Sequence, residues 1–506
     1  MTTVRRMMAA GLAAGLSVTT LIIGSGGWTF ARPAASASAA HAPKLAWKGT
    51  ITMFAQSYTP TVPGVKLPPG TPKLSAFETA AKAFEKLYPG IHIKFVYSNN
   101  MGSTQWEETE AAAGNLPDVT WVQGTVADST LPKGIFVNLN PYFAQPNPYI
   151  SGNKAWRNVM NPRVLAITKA PNGAQYLVDG DWVGTAFYYN RLLFRKAGIA
   201  HTPKTWSELL NDCRILKRHG IQPGADLANY GWFSAIFTAN ALGGKMLQKM
   251  VSYTPGTAGY INAYDQVRAF HAGYFNPAKN PRIMGWWPAM KTLYTFWDKN
   301  VLDEPPTGTL PSGAPTGQSL FAAQKVAMVY QGSWLPNEIK VLSAKKRFPV
   351  GSFNLSSLAG SSPYVSKLTT SQDVGGPSAA FQFGISSRRA DHSMTPAKLK
   401  AVMAWVRFFS TPKWDQAIVN QLGSFVPTFV GTTPTKANRS LAKALLKPYY
   451  QLYPFNIVTA RAGTELPNLF QEYVTGHISL KAAKQQYDQI AQQAVSQYIA
   501  TNHPHF

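Results

Sequence analysis

Four tryptophans and four polar side chains have the chemistry that a sugar site requires. The flat C–H faces of a saccharide pack on aromatic rings while its hydroxyls need planar hydrogen-bonding groups, so such a site combines both kinds of residue. The chain holds 14 Trp and 22 Tyr, which makes aromatic surface abundant. The candidates for stacking are Trp121, Trp182, Trp232 and Trp334, and those for polar contacts are Gln56, Asp118, Gln123 and Asp181. Core packing is the alternative for each tryptophan, because Trp is usually buried, and capping of a neighbouring turn is the alternative for Asp118.

Two neighbouring carboxylates, Asp179 and Asp181, raise the alternative of an exported carbohydrate-active enzyme. A glycosidase needs two acids that flank the scissile bond. Residues two apart in an extended segment point the same way, so this pair could not approach a sugar from opposite sides. A turn in which one acid accepts hydrogen bonds from ligand hydroxyls is the favoured interpretation. The acidic run Glu107, Glu108 and Glu110 has the pattern of a solvated helix face rather than a catalytic cluster.

The motifs of nucleotide, zinc-protease and serine-hydrolase chemistry are missing from the sequence. The segment at 243–246 lacks both the leading glycine of a P-loop and the Ser or Thr that follows its Lys. There is no HExxH motif, the nine His are scattered, and no GxSxG surrounds a Ser. We therefore expect no ATPase activity, no catalytic residues, no metal and no cofactor.

Composition indicates a globular protein with more than one core. A chain of 506 residues with 45% hydrophobic residues is long enough for two lobes of ordinary size. The net charge of +25 reflects only 23 acids against 48 Lys and Arg. The densest basic patches, at 345–347 and 388–389, are short and lack interleaved aromatics, so we expect no nucleic-acid partner. A basic exterior fits adhesion to an anionic envelope, or an acidic habitat, better. Cys213, the only cysteine, cannot form an internal disulfide and is predicted to be buried.

The N-terminus has the pattern of an export signal. Two arginines precede an apolar, charge-free run over 7–24, and a small-residue tract with A-x-A patterns follows at 34–40. We predict a signal peptide over 1–39, cut within that tract. The alternative is an uncleaved membrane anchor, since the run is about long enough to span a bilayer. No cysteine lies near the signal, so a lipoprotein tether is not expected.

Residues 176–210 predict one strand and two helices in quick succession. Val183 to Tyr189 is short, apolar and aromatic, which indicates a buried strand. A short helix is predicted from Arg191 to Ala197. A second helix begins at Thr205, where Glu208 stands three residues further on in the pattern of a capping box.

The segment before this stretch predicts a parallel βαβ unit, and hence an α/β fold. Lys48 to Phe54 and Ile91 to Val96 alternate as strands, and between them Ser75 and Glu78 have the pattern of a second capping box at the start of a helix. A strand, a helix and a strand in this order imply a parallel, right-handed crossover. Further strands are expected at 116–121 and 326–330, and further helices at 399–409 and 479–500.

Five motifs, in order along the chain, resemble those of the extracellular solute-binding proteins of ABC importers, in particular the sugar-binding group that includes maltose-binding protein. The motifs are Pro117-Asp118-Val119, Tyr188-Tyr189-Asn190 with Phe194 to Trp206, Trp232 with Gly243-Gly244, Gly332-Ser333-Trp334, and Gly423 to Thr428. The resemblance covers roughly Ile51 to Val430. It implies two α/β lobes of the type II periplasmic-binding fold, joined by three hinge crossings near 181–189, 375–385 and 425–430. Lobe one would comprise 44–182 plus 384–425, and lobe two 188–375 plus 431–506.

The resemblance also implies a function, namely capture of a sugar or oligosaccharide by hinge closure and its delivery to the transmembrane subunits of an ABC permease. The protein would be a monomer outside the cytoplasm, extracellular or periplasmic, either free or attached to the outer face of the membrane. Ligands of open α/β sheets lie beyond the carboxyl ends of strands, where lobe one would contribute Gln56, Ser57, Trp121 and Gln123. By the same resemblance the Trp334 indole lines the site from lobe two, and Gly376 marks the second crossing. A binding protein for Fe(III) or a polyamine is a further alternative, which would need clustered Tyr or acids.

Overall fold

The computed structural model describes residues 42–504 apart from a set of internal segments. These segments are 65, 67–72, 98–103, 123–132, 171–172, 226–229, 243–262, 274–275, 299–315, 344–345, 356–357, 359–373, 377–380, 446–454 and 456–457. The predicted signal peptide, Gln123 and the Gly243-Gly244 pair therefore lie outside the described residues.

Strands and helices alternate along the described residues in the manner of an α/β protein. The strands are β1 Gly49–Phe54, β2 Ile91–Phe95, β3 Val119–Trp121, β4 Leu177–Asp179, β5 Asp181–Asn190, β6 Gln222–Ala225, β7 Trp297–Asp298, β8 Val326–Gly332, β9 Val350–Phe353, β10 Val374–Gly376, β11 Gln382–Ile385 and β12 Val426–Pro427. The helices are α1 Ala76–Leu87, α2 Thr104–Ala113, α3 Asn140–Phe143, α4 Pro162–Ile167, α5 Arg191–Lys196, α6 Trp206–Arg218, α7 Tyr230–Leu242, α8 Ala263–His271, α9 Trp287–Tyr294, α10 Gly317–Ala322, α11 Leu335–Leu342, α12 Pro396–Phe409, α13 Pro412–Leu422, α14 Arg439–Leu445, α15 Ala460–Thr475 and α16 Leu480–Asn502. None of these helices combines the length and apolar character that a bilayer crossing requires.

The first sheet has five strands in the order β2-β1-β3-β11-β4. Strand β1 pairs in parallel with both β2 and β3, which confirms the predicted crossover. Strand β11 comes from much later in the chain and lies antiparallel between β3 and β4. One hydrophobic core surrounds this sheet, and the buried stripes of α1 and α12 pack into it.

The second sheet is built around the long strand β5. Its order is β10-β5-β8-β6-β7, and β9 and β12 also pair with β5. Strand β8 lies antiparallel to β5, while β6 lies parallel to β8. A separate core covers this sheet and includes α6, α9, α15 and α16. Cys213 lies in that core with no exposed surface, as its position on the apolar stripe predicts.

Three crossings join the two sheets, and they meet side by side. The first is the direct step from β4 to β5 through Gly180, and the second runs from β10 to β11. The third contains β12, in which Val426 pairs with Trp182 and Pro427 with Asp181. Because three strands connect the halves at one place, the halves can rotate about that place but resist twisting.

The two predicted capping boxes differ in outcome. At Thr205 the side chain accepts a hydrogen bond from the Glu208 backbone N–H at 3.1 Å, while the Glu208 carboxylate accepts from the Lys204 N–H instead of the Thr205 N–H. At Ser75 the predicted box is wrong, since its side chain makes no capping hydrogen bond. The Gln421 side chain from α13 accepts there from the backbone N–H groups of Ser75 and Ala76, at 2.8 and 2.7 Å.

Because Gln421 rather than Ser75 caps α1, a substitution at Gln421 is expected to destabilise this helix more than one at Ser75. Gln421→Ala is expected to cost about 1–2 kcal/mol in the free energy of unfolding, because two backbone donors lose their acceptor. Ser75→Ala removes only the hydroxyl that accepts from the Gln421 side-chain amide at 3.1 Å, so it is expected to cost less, about 0.5 kcal/mol. Chemical denaturation of both variants measures the difference, and an equal cost for the two would contradict the assignment.

Candidate ligand-binding site

The edge of the first sheet that faces the crossings carries the residues that follow β1. After Phe54 and Ala55 the chain enters a short 3-10 helix, Gln56–Tyr58. Gln56 adopts a positive φ of 48°, a conformation that side-chain-bearing residues rarely take. The Gln56 side-chain carbonyl accepts from the Ser57 backbone N–H. Gln56 and Ser57 are both half-buried, which leaves part of each at the surface of this edge.

Aromatic rings lie beside these residues at the carboxyl ends of β1 and β3. Phe54 contacts Trp121 edge-on at 6.5 Å between ring centroids, and contacts Trp106 of α2 at 5.7 Å. Trp121 is only 6% exposed, whereas Trp106 is half-buried. Trp106 was not among the residues predicted for the site, although its position in the first turn of α2 brings it to the same edge.

The second sheet contributes a pair of tryptophans. The rings of Trp232 in α7 and Trp334 after β8 lie 5.8 Å apart, and both side chains are half-buried. Trp334 also contacts Phe425 of the third crossing at 6.4 Å, and Trp232 contacts Tyr330 of β8 at 6.3 Å. The structure thus brings together two of the four predicted tryptophans next to the crossings, and both are partly buried against the hydrophobic cores.

The turn that carries Trp334 is tightly built. A Cβ atom on Gly332 would lie 2.1 Å from the Trp334 ring, so only glycine leaves the indole its place. The Ser333 backbone N–H donates to the Gly184 carbonyl of β5 at 2.8 Å. In the following helix, the Asn337 side-chain amide donates to the Leu422 carbonyl at 2.7 Å. Contacts to β5 and to the end of α13 therefore fix this turn against two crossings.

Three predicted site residues lie inside the protein. Asp118 is 1% exposed, pairs with Lys398 of α12 at 2.6 Å and accepts hydrogen bonds from the backbone N–H and the hydroxyl of Thr52, so its contact with a ligand stays a prediction. Trp182 is 1% exposed and belongs to β5. Asp181 has no exposed surface and accepts a hydrogen bond from the Tyr58 hydroxyl at 2.6 Å. Their surroundings favour structural roles in the crossings and the first core.

The remaining predicted residues fall at the second crossing or outside the described part of the chain. Gly376 ends β10 opposite Val183, after a register shift that follows Val374. Gln123 follows β3 and lies in the segment 123–132, outside the description. Its place at the site stays a prediction.

The sequence pattern predicted that the acidic run on α2 is a solvated helix face. This prediction is wrong for one of its three residues. Glu107 is only 2% exposed, and burial raises the pKa of its carboxyl to about 8, helped by the neighbouring Glu108. Glu108 lies at the surface and pairs with Lys133 at 2.7 Å. The helical spacing contains the signal for this difference, since Glu107 lies four residues before the buried Ala111.

Solved structures with this architecture are two-lobed binding proteins. The sugar-binding protein MalE from Xanthomonas citri matches with a TM-score of 0.57 and 18% identity, over 90% of this chain and 100% of that one. A chitin oligosaccharide binding protein matches at 0.58 and 18%, over 89% and 99%. RafE in complex with raffinose matches at 0.54 and 18%, over 89% and 100%. With the two sheets and three crossings, these similarities define a two-lobed protein of the periplasmic-binding fold.

The sequence comparison names the family. A family model for bacterial extracellular solute-binding proteins matches residues 68–415, and the chain belongs to that family. Curated relatives described as binding proteins include one from Brucella abortus (strain 2308) and one from Brucella suis biovar 1, each 26% identical over 268 residues. The matched region is 52% of this chain and 56% of the Brucella abortus relative, so the chain spans about half the length of the curated relatives it matches.

Proposed function

We propose that the protein captures a sugar or oligosaccharide between its two lobes and delivers it to the transmembrane subunits of an ABC permease. The half-buried pair Trp232 and Trp334, held 5.8 Å apart beside the crossings, is the observation that carries the proposal. Aromatic faces of this kind pack against the C–H faces of sugar rings. The half-buried amide of Gln56 and hydroxyl of Ser57 on the opposite edge supply groups for sugar hydroxyls.

Two lobes that share one ligand give the mechanism of capture. Lobe one is assigned to 44–182 plus 384–425 and lobe two to 188–375 plus 431–506, in keeping with the two separate cores. A ligand that touches both lobes stabilises the closed state by its additional affinity for that state. The closed protein, acting as a monomer outside the cytoplasm, then docks on the permease.

The named ligands of similar proteins define the test. Raffinose, a chitin oligosaccharide, cyclic α-maltosyl-1,6-maltose and lacto-N-biose are titrated into the exported protein by calorimetry and by intrinsic Trp fluorescence, with product analysis after long incubation. Saturable binding of at least one sugar without hydrolysis is expected. Binding of Fe(III) or a polyamine with no sugar bound would refute the proposal.

An exported carbohydrate-active enzyme remains the second candidate in chemical terms, and hydrolysis in the same titration would favour it. The two acids that the sequence suggested for it, Asp179 and Asp181, have no exposed surface. A glycosidase acid must reach the glycosidic bond. Their complete burial supports a binding protein that is not an enzyme.

Adding one methyl group beneath the indole is expected to weaken sugar binding. Gly332→Ala places a Cβ atom 2.1 Å from the Trp334 ring and forces that ring out of its position, at a cost of about 1–3 kcal/mol. Gly285→Ala is the matched control, because its new Cβ would meet its nearest neighbour at an ordinary 3.5 Å. Calorimetric titration of the sugar that binds wild type compares the two, and equal affinity for both would contradict a ligand role for this turn.

A further inference from the structure

The second sheet has two ends, and only one of them faces the crossings. At the crossing end of β5, Trp182 pairs with Val426. At the other end, Asn190 pairs with Val350 at the start of β9, and β8 begins at Val326. Strand β5 has 10 residues, so at about 3.3 Å per residue this second end lies about 30 Å from the crossings. We call it the distal end of the second sheet.

Hydrogen bonds join the chain segments that meet at the distal end. The Arg191 backbone N–H, at the start of α5, donates to the Pro349 carbonyl before β9 at 3.0 Å. The Asn190 side-chain amide donates to the Gln324 side-chain carbonyl, and the Gln324 amide donates to the Lys346 carbonyl, both at 3.3 Å. The start of α5, the turn before β8 and the segment before β9 therefore form one continuous surface.

This surface carries positive charge without negative charge beside it. In the two stretches that form it, 186–199 and 316–355, the only acid is the half-buried Glu338. In the part of the chain that the structure describes, none of the exposed cations of this surface forms an ion pair. These cations, which define the distal basic surface, are Arg191, Arg195, Lys196, Lys325, Lys346 and Arg347.

Stabilisation of helix ends accounts for only two of these cations. Arg195 and Lys196 lie in the last turn of α5, where a positive charge interacts favourably with the helix dipole. Arg191 lies in the first turn of the same helix, where the dipole disfavours a positive charge. The other three cations lie outside helices. Local helix energetics therefore do not explain why the positive charge is concentrated here.

Two exposed leucines accompany the cations. Leu192 lies in the first turn of α5 and is 41% exposed, and Leu342 ends α11 and is 56% exposed. Helix α11 leads away from the Trp334 turn, and directly after Leu342 the Lys346 N–H donates to the Ser343 carbonyl at 2.9 Å. Both leucines therefore belong to the distal end. Cations combined with exposed apolar side chains are typical of protein surfaces that lie on an anionic bilayer.

We propose that the distal basic surface docks the protein reversibly on a bilayer that contains anionic phospholipid. The cations lie against the lipid phosphates, and Leu192 and Leu342 insert at the level of the headgroups. A soluble polyanion offers phosphates without an apolar layer, so the exposed leucines favour the bilayer. The crossings lie at the opposite end of the sheet, so attachment leaves the candidate site clear of the bilayer.

Sedimentation with vesicles tests the contribution of charge. The exported protein is mixed with vesicles of phosphatidylglycerol and phosphatidylcholine in equal amounts, or of phosphatidylcholine alone. Wild type is expected to bind only the anionic vesicles and to leave them as salt is raised. The triple variant Arg191→Gln, Lys325→Gln and Lys346→Gln is expected to bind about 100-fold more weakly, at about fivefold for each cation. Equal binding of wild type to both kinds of vesicle would overturn the proposal.

The matched control removes the same charge from lobe one. Lys86, Lys94 and Lys400 are exposed lysines on α1, β2 and α12, and all three are changed to Gln. This variant is expected to bind anionic vesicles within about threefold of wild type, because charges more than a Debye length from the bilayer are screened. Equal weakening in both triple variants would mean that net charge alone drives attachment, and would overturn a defined surface. Denaturant unfolding verifies that both variants fold.

The leucines distinguish a bilayer from a soluble polyanion. Leu192→Ser combined with Leu342→Ser is expected to lower vesicle affinity about tenfold, since two partly exposed leucines lose their apolar contact. Its affinity for soluble inorganic polyphosphate should equal that of wild type. Val62→Ser, at an apolar residue of lobe one that is 44% exposed, is the control and should change neither affinity. Vesicle binding that survives loss of both leucines would overturn docking on a bilayer and favour a soluble polyanion.

The position of the surface also separates this proposal from the proposed function. The distal end lies about 30 Å from the crossings, which is several Debye lengths at about 0.1 M salt. The triple variant at the distal end is therefore expected to keep the sugar affinity of wild type. Vesicle binding needs no sugar, so the vesicle experiments decide the attachment even if no sugar binds and the proposed function fails.

Discussion

Trp334→Ala is expected to weaken sugar binding at least about 30-fold, which corresponds to about 2 kcal/mol or more. The side chain is half-buried, is held by a turn fixed to β5 and faces a second tryptophan. A rigid aromatic ring next to a cleft loses little conformational freedom when a ligand packs on it, so truncation removes contact area that nothing replaces. Calorimetric titration of the best-binding sugar measures the loss.

The control for this variant is another half-buried tryptophan, which lies at the edge of the first sheet that is opposite to the candidate site. Trp47 is half-buried and precedes the amino end of β1, whereas the candidate site follows its carboxyl end. Trp47→Ala is expected to leave affinity unchanged. Trp232→Ala and the double variant with both substitutions complete a double-mutant cycle. Because the two rings lie 5.8 Å apart and would contact the same sugar, their losses of binding free energy are expected to be non-additive. Full affinity in Trp334→Ala would remove this indole from the site.

Patterns along the chain predicted the elements that are stabilised locally. The alternation at β1 and β2, the apolar stripe of α12 and the cap at Thr205 all follow from residues within a few positions of one another. At Ser75 the same local pattern failed because Gln421, 346 residues away, takes the backbone donors. No local pattern reveals such a partner, so this cap could not have been predicted.

The candidate site was harder to predict because residue type does not determine burial. Trp182 and Trp334 are the same residue beside the same crossings, yet β5 buries one completely while the turn after β8 leaves the other half-buried. The burial of Asp118 could not be predicted from its residue type either. Its carboxylate pairs with Lys398, which belongs to a helix and lies 280 positions further along the chain. Which candidates contact a ligand stays a prediction that the variants above test.

Lys398→Met is expected to destabilise the protein by about 3–5 kcal/mol, the largest stability effect we predict for a single substitution. The Lys398 ammonium lies 2.6 Å from the Asp118 carboxylate and 3.2 Å from that of Asp391, and all three side chains are at least nine-tenths buried. It also donates to the Ser393 hydroxyl at 2.6 Å. Methionine fills a similar volume without the charge, so two carboxylates are left together in the first core without their cation.

An exposed ion pair of the same length shows whether burial is the cause. Lys82 and Glu78 on α1 also lie 2.6 Å apart, but the lysine side chain is 71% exposed, so Lys82→Met is expected to cost less than about 0.5 kcal/mol. Asp118→Asn combined with Lys398→Met should recover part of the loss, because one unpaired charge is then removed. Denaturant unfolding measures all three. Equal costs for the two lysine variants would mean that the buried triad contributes no more to stability than a surface pair, and that the β1–β3–α12 contact depends on apolar packing alone.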